Sequence, residues 1–210
     1  MRDRPPASTL LLGTTSGGKR RELLRLLAPL GISCLSLSEE PRAVAVDETG
    51  ATFADNAALK AVAQARACGR WVLAEDSGLC VTALGDQPGV LSARFAGEPA
   101  NDAANNALLL ERLGDRRDRS ARYECHAALA NPAGVVVATA SGACHGAIAR
   151  EASGGGGFGY DPLFIVAEYH RTFGELAPAV KDVISHRARA IRALHAAITR
   201  HLHGAGMASA

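Results

Sequence analysis

Residues Thr9 to Gly13 read TLLLG, an apolar run without polar alternation, and the chain then turns through glycines into KRRELLRLLAPLG. A short apolar run bounded by turn residues reads as a buried strand. The segment after it reads as a helix, because Leu23, Leu26, Leu27 and Leu30 fall on one face at helical spacing and Gly31 is a natural stop. The same grammar recurs downstream. TFADNAALKAVAQARACG predicts a helix opening near Thr52 and stopping at Gly69, WVLAEDSGL a strand that runs into a turn, and NDAANNALLLERLG a helix starting near Asn101 or Asp102. RYECHAALA and GVVVATASGAC read as two strands joined through the turn NPAG, a β-hairpin with a longer loop. LFIVAEY reads as a further strand, and one long helix is expected from about Lys181 to Leu202, with Val183, Ile184, Ile191 and Leu194 as its inner stripe.

Strands that alternate with helices but include a hairpin call for a mixed sheet, so the class is α/β. A chain of 210 residues fits one sizeable domain or two small lobes sharing a core. Residues 9–202 are read as that single domain, with 1–8 and 203–210 as flexible tails.

Composition narrows the function classes. A hydrophobic share of 48% excludes a disordered chain. With 23 basic and 21 acidic residues well mixed, the net charge of +2 argues against a large footprint on nucleic acid, though not against a nucleotide-sized anion. No apolar run approaches the roughly 18 residues of a membrane span, and MRDRPPAS lacks a secretory apolar core. Five scattered cysteines fit a reduced, cytoplasmic protein. Cys125-His126 and Cys144-His145 suggest zinc at first sight. Neighbours in a strand point to opposite faces, however, so neither pair could grip one metal.

Four stretches carry candidate chemistry. The first is GTTSGGK, Gly13 to Lys19, where a strand passes through a Gly-rich turn into a helix. Free N–H groups at the helix start attract phosphate, and Gly17 and Gly18 let it approach. The stretch fits the opening positions of a P-loop, but Arg20 stands where that motif needs Ser or Thr for magnesium. A phosphate loop of another kind, with Thr14, Ser16 and Lys19 as its polar members, is the better fit. The second comprises two acidic turns, VDETG and AEDSG. Magnesium binds through one or two carboxylates plus substrate phosphates, whereas two ordinary surface turns are the plain alternative. Glu75 and Asp76 cap an apolar strand, and strand ends are where α/β sites collect. Alternation would send only one of them to the site; Asp76 is favoured because Ser77-Gly78 follow it into the turn.

The third stretch is GGGGFGYDP, in which five of the six residues from Gly154 to Gly159 are glycine. It reads either as a loose connector or as bare backbone that a flat ring or phosphate can approach closely. The fourth is KDVISHRARAIRAL, which brings Lys181, His186 and Arg187 together. A solvated basic face is the usual reason for such residues, but His186 and Arg187 sit beside the apolar stripe, so partial burial near a site is expected. Together the three could donate to phosphate or to a base carbonyl.

These pieces occur in one order: the loop with Lys19, DETGATFADNAALKA, AEDSGLCVTALGDQPGVLSARFAG, GGFGYDPLF and SHRARA. In this the chain resembles the Ham1/RdgB family of inosine/xanthosine triphosphate pyrophosphatases, from about Leu10 to Leu194. The resemblance implies a mixed, long twisted sheet flanked by helices, with two lobes around a central cleft. It implies hydrolysis of ITP, dITP and XTP to monophosphate and pyrophosphate with Mg2+, by a cytoplasmic homodimer. It places phosphate binding on Thr14, Thr15, Ser16, Gly17, Gly18 and Lys19, the catalytic and metal-binding carboxylate on Asp76, and a substrate contact on Ser77. Base recognition falls on Phe158, Gly159, Tyr160 and Asp161, with further contacts on Lys181, His186 and Arg187. A second metal carboxylate falls on Glu48, with Asp47 as the alternative, and Asn56 and Lys60 are additional candidates. One departure stands out: Ser16 occupies the position of a family asparagine and cannot offer both an amide donor and a carbonyl. The Maf-like pyrophosphatases, a P-loop kinase and a nucleotide-binding regulator without catalysis are the alternative readings.

Overall fold

A computed structural model describes residues 9–203. The tails expected at 1–8 and 203–210 lie outside the described residues, except His203, the last residue of the final helix. The strands are β1 (Leu10–Leu12), β2 (Cys34–Ser36), β3 (Trp71–Val81), β4 (Gln87–Pro88), β5 (Ser120–Ala130), β6 (Val136–Ile148), β7 (Phe164–Val166) and β8 (Arg171–Thr172). The α-helices are α1 (Gly17–Leu27), α2 (Phe53–Cys68), α3 (Asp102–Leu113), α4 (Pro178–Ile184) and α5 (His186–His203). The sheet runs β2-β1-β3-β5-β6-β7-β8, with β4 paired to β3. It is mixed: β1 is parallel to β2 and β3, while β6, β7 and β8 pair antiparallel.

The chain forms two compact units. One contains residues up to Asp76 together with His126–Ser141 and the segment from Ala190 onward; the other contains Ser77–Cys125 and Gly142–Arg189. The core of the first is built from small residues. Ala57, Ala61 and Ala65 recur every four residues on α2 and pack with Leu11, Val72, Ala74, Ala128 and Ala130. Side chains this short let the helix lie close on the strands, which brings the polar row beside them, Asn56, Lys60 and Gln64, into reach of neighbouring loops. The second unit has a larger-grained core of Leu79, Val81, Leu109, Leu113, Tyr123, Phe164 and Phe173.

Local signals placed both ends of α2 and the start of α3. Thr52 caps α2 by accepting from the Asp55 N–H, and Gly69 closes it at φ 61°. Asn101 caps α3 by accepting from Ala104.

Four expectations need correction. The glycines Gly17 and Gly18 belong to the first turn of α1, so the loop is only Gly13 to Ser16. Ser77-Gly78 is not a turn: β3 stays extended to Val81 because Cys80 pairs with Pro88 and Val81 with Gln87. The strand read from LFIVAEY is confined to Phe164–Val166. Finally, the long last helix is two helices. Ser185 sits between them in an extended conformation, φ −67° and ψ 158°, and its hydroxyl accepts from the Ala188 N–H, capping α5. Val183, expected in the inner stripe, is consequently 57% exposed, whereas Ile191 and Leu194 are buried.

Candidate active site

Two groups of the expected side chains assemble, one in each unit. In the first, α2 and β3 set the geometry around Asp76, which is buried. Asn56 Nδ2 donates to Asp76 Oδ2 at 3.2 Å, and Lys60 Nζ lies 3.2 Å from Asp76 Oδ1. Lys60 Nζ also lies 3.1 Å from Glu48 Oε1. Glu48 and Asp76 therefore converge on one cationic group, while Asp47 is exposed. Lys19 comes within 3.4 Å of Glu75 Oε1 and 4.0 Å of Asp76 Oδ1. Alternation had assigned only Asp76 to the site. Glu75 is as deeply buried as Asp76, and the single ammonium of Lys19 reaches both.

Burial alone would push the Lys60 ammonium toward neutrality, but the carboxylates of Asp76, Glu75 and Glu48 outweigh it and hold its pKa above the ordinary lysine value. Lys60 is thus a permanent cation at any physiological pH. The loop that carries Glu48 is held by the polar row of α2. Asn56 Oδ1 accepts from the Gly50 N–H at 2.8 Å, and Gln64 exchanges two hydrogen bonds with the Val44 main chain. Gly50 must be glycine here, since a Cβ would stand 2.6 Å from Asn56 Oδ1. Gln64 was missed from sequence; its spacing of four from Lys60 was the available signal.

The Gly13–Ser16 loop, expected to bind phosphate, leads into α1, whose Lys19 reaches this group. Ser16 is the N-cap of α1, its hydroxyl accepting from the Lys19 N–H at 3.4 Å, and Thr14 Oγ1 accepts from the Ser16 N–H at 3.2 Å. Thr15 and Gly17 are exposed and Gly18 is half-buried. A cavity of about 440 Å³ opens beside the loop, lined by Thr14, Thr15, Gly17, Arg20 and by residues 36–38 and 43–45. Its lining offers hydroxyls and one guanidinium but no carboxylate.

The second group lies in the other unit and centres on Asp161, 1% exposed. Lys181 Nζ lies 2.5 Å from Asp161 Oδ2, and the same oxygen accepts from the Phe158 N–H at 2.9 Å. The Lys181 ammonium also stands 4.7 Å from the Phe158 ring centre, and the Arg187 guanidinium 5.8 Å from it. Arg187 Nη2 donates to Ser77 Oγ at 2.7 Å. His186 stacks on Tyr123, ring centres 4.6 Å apart and planes 8° from parallel. His186 and Arg187 are buried at 3% and 1% exposure, deeper than the partial burial expected. Tyr123, in the middle of β5, had no sequence signal. Tyr160 is buried and donates from its hydroxyl to the Ser92 carbonyl at 2.8 Å, so it anchors the loop.

The glycine run is folded, not slack. Gly157 has φ +79°, and a Cβ there would stand 2.0 Å from Asp161 Oδ2. At Gly154, φ +81°, a Cβ would stand 2.2 Å from the Gly174 carbonyl, which accepts from the Gly156 N–H at 2.9 Å. Bare backbone is needed so that the run can wrap over the Asp161–Lys181 pair.

Neither group contains a ready-made metal cage: among the described residues no three His, Cys, Asp or Glu side chains come together to hold an ion. A cation held by Glu48 and Asp76 would have to take its remaining ligands from substrate oxygens and water.

Comparison with known proteins supplies the family. The model of the Ham1 family matches residues 10–197. A protein named dITP/XTP pyrophosphatase from Rhodopirellula baltica is 52% identical over 185 residues, 87% of this chain and 89% of the relative. One of the same name from Desulforamulus reducens is 52% identical, covering 87% of this chain and 92% of the relative. Among solved structures, a HAM1 protein from Coxiella burnetii has a TM-score of 0.83 at 39% identity, over 91% of this chain and 98% of that one. The Staphylococcus aureus Ham1 protein gives 0.80 at 37% identity, over 90% and 97%. The phosphate loop, the acidic pair, the glycine run and the SHR segment all fall within the matched residues, and the chain belongs to the Ham1 family.

Proposed function

We propose that this protein hydrolyses non-standard purine nucleoside triphosphates, dITP, ITP and XTP, to the monophosphate and pyrophosphate. Water forms a bond to the α-phosphorus, the bond from that phosphorus to the bridging oxygen breaks, and pyrophosphate leaves. The observation that carries the reading is Asp76, a buried carboxylate held by Asn56 and flanked by Lys19 and Lys60. Relatives at 52% identity carrying the name dITP/XTP pyrophosphatase support the choice of substrate.

Asp76 and Glu48 would hold Mg2+ together with triphosphate oxygens; the ion supplies charge neutralisation and activation of the attacking water. Asp76 is also the group that takes the proton from that water. Lys19 and Lys60 stabilise charge on the departing pyrophosphate, and the α1 N-terminus with Thr14, Thr15, Ser16, Gly17 and Gly18 binds its oxygens. Phe158 offers a ring for the purine, a contact worth about 1–3 kcal/mol but blind to the base. Selectivity has to come from donors. Lys181, His186 and Arg187 suit a 6-oxo purine, and a 6-amino group would face donor against donor. Mismatched polar groups of this kind can reject a substrate by roughly 10⁴–10⁵. We further take the chain to act as a cytoplasmic homodimer, as its resemblance to the family implies.

The test is release of pyrophosphate from ITP and XTP against dATP and dGTP with magnesium, by the wild type and by Asp76→Asn. Fast release from ITP and XTP, slow release from the standard nucleotides, and a loss of at least about 100-fold in the variant are expected. Near-full activity of Asp76→Asn would overturn the role given to Asp76.

A further inference from the structure

The base-recognition loop is fixed by a helix that the reading above does not use. Gly159 lies between Phe158 and Tyr160 with φ +62°, so its peptide groups are turned away from any strand or helix ladder. Both are held by α3. The Gly159 N–H donates to Asp102 Oδ2 at 2.7 Å, and Asn106 Nδ2 donates to the Gly159 carbonyl at 3.1 Å. Asp102 and Asn106 are one helical turn apart, so they present one face of α3 to the loop. The Asn106 amide has no second anchor among the described residues. Its Oδ1 is buried without a hydrogen-bond partner, so the bond to Gly159 alone sets its orientation. Neighbouring Asn105 does a different job, bonding Ala96 and Ala93 in the preceding segment.

We propose that Asp102 and Asn106 are positioning residues for purine binding: by holding both main-chain polar groups of Gly159 they fix the Phe158 ring against Lys181 and Arg187. Phe158 is tied from the other side through its own N–H on Asp161 Oδ2. The ring is thus gripped by flanking peptides, Asp161 before it and α3 after it. This rests on the proposed purine triphosphate reading for its kinetic consequence, but not for its structural one. Loss of either α3 bond frees the Gly159 peptide to rotate. A base that stacks on Phe158 must then order the loop itself, which weakens binding more than it slows the chemical step at Asp76.

The substitutions Asp102→Ala, Asp102→Asn, Asn106→Ala and Asn106→Asp separate this from a general packing effect. Asparagine at 102 still offers an oxygen to the Gly159 N–H, so Asp102→Asn should stay within about twofold of wild type in KM for ITP. Aspartate at 106 is the same size but sets an anion against the Gly159 carbonyl, so it should behave like, or worse than, Asn106→Ala. Asp102→Ala, Asn106→Ala and Asn106→Asp should each raise KM for ITP about 5- to 20-fold, with a smaller fall in kcat. Glu111→Ala, at an exposed position on the same helix, is the control. Hydrogen exchange of the peptide containing 154–162, measured without nucleotide, should speed up in the same three variants and not in Asp102→Asn. If the wild type failed to hydrolyse ITP, the substrate reading would fall while the exchange pattern still decided the clamp. Unchanged exchange and unchanged KM in Asn106→Asp would overturn the proposal.

Discussion

Replacing Asp161 by asparagine tests how the glycine-rich loop around Phe158 is held together. The carboxylate is 1% exposed and its partner Lys181 only 6% exposed, at a separation of 2.5 Å. Removing one member of a buried pair leaves the other charge in low dielectric, a cost of about 3–5 kcal/mol. The Phe158 N–H, now 2.9 Å from Asp161 Oδ2, would also exchange a charged acceptor for a neutral one. For a chain of this size about 1 kcal/mol corresponds to some 2–4 °C in Tm. A drop of about 6–20 °C in Tm is expected. Near-UV circular dichroism follows the second unit through Tyr123 and Tyr160, while the fluorescence of Trp71 reports on the first. Lys181→Met should be destabilising by a similar mechanism, and the double variant should be less destabilised than the sum by at least about 2 kcal/mol. Additive single effects, or a cost below about 1 kcal/mol for Asp161→Asn, would show that the pair is not the electrostatic centre described above.

Three further outcomes follow from the geometry. Gly157→Ala places a Cβ 2.0 Å from Asp161 Oδ2 at φ +79°; it should cost about 2–4 kcal/mol and raise KM for ITP, read by denaturation and steady-state assay. Ser16→Ala removes the cap on α1 and should cost about 1 kcal/mol, whereas Ser16→Asn keeps a capping oxygen, adds a donor, and should lower KM for ITP severalfold. Burial pushes the thiols of Cys80 and Cys144 up to about 11 from an ordinary 9.0. The fold therefore favours their neutral form. Their contribution to stability is constant below about pH 9 and is lost as pH rises from there toward 11. At pH 8 the native protein should leave both unreacted with iodoacetamide over an hour and label them readily in urea; rapid native labelling at either would contradict their burial.

Sequence alone determined the features that neighbours along the chain enforce. Helix α2 was legible from Thr52 to Gly69 because periodicity, an N-cap and a left-handed glycine all act within a turn or two. The order of motifs was enough to expect this fold and family before any contact was known. What alternation could not foresee is that Glu75 joins Asp76 at Lys19, because which groups meet a flexible ammonium depends on how α1 is placed against β3. The extension of β3 through Ser77-Gly78 was likewise hidden, since the pairing of Cys80 with Pro88 is made by residues further along the chain. Ser185 is the instructive case. A serine inside an apolar helical pattern reads as a tolerated polar residue, yet it became a cap that divides α4 from α5. Its hydroxyl can cap a helix as readily as sit within one, and the residues that follow it, His186 and Arg187, pack against Tyr123 and Ser77. The sequence thus determined which side chains are present and in what order; tertiary packing decided which of them meet, because those contacts are closed by chain segments far apart.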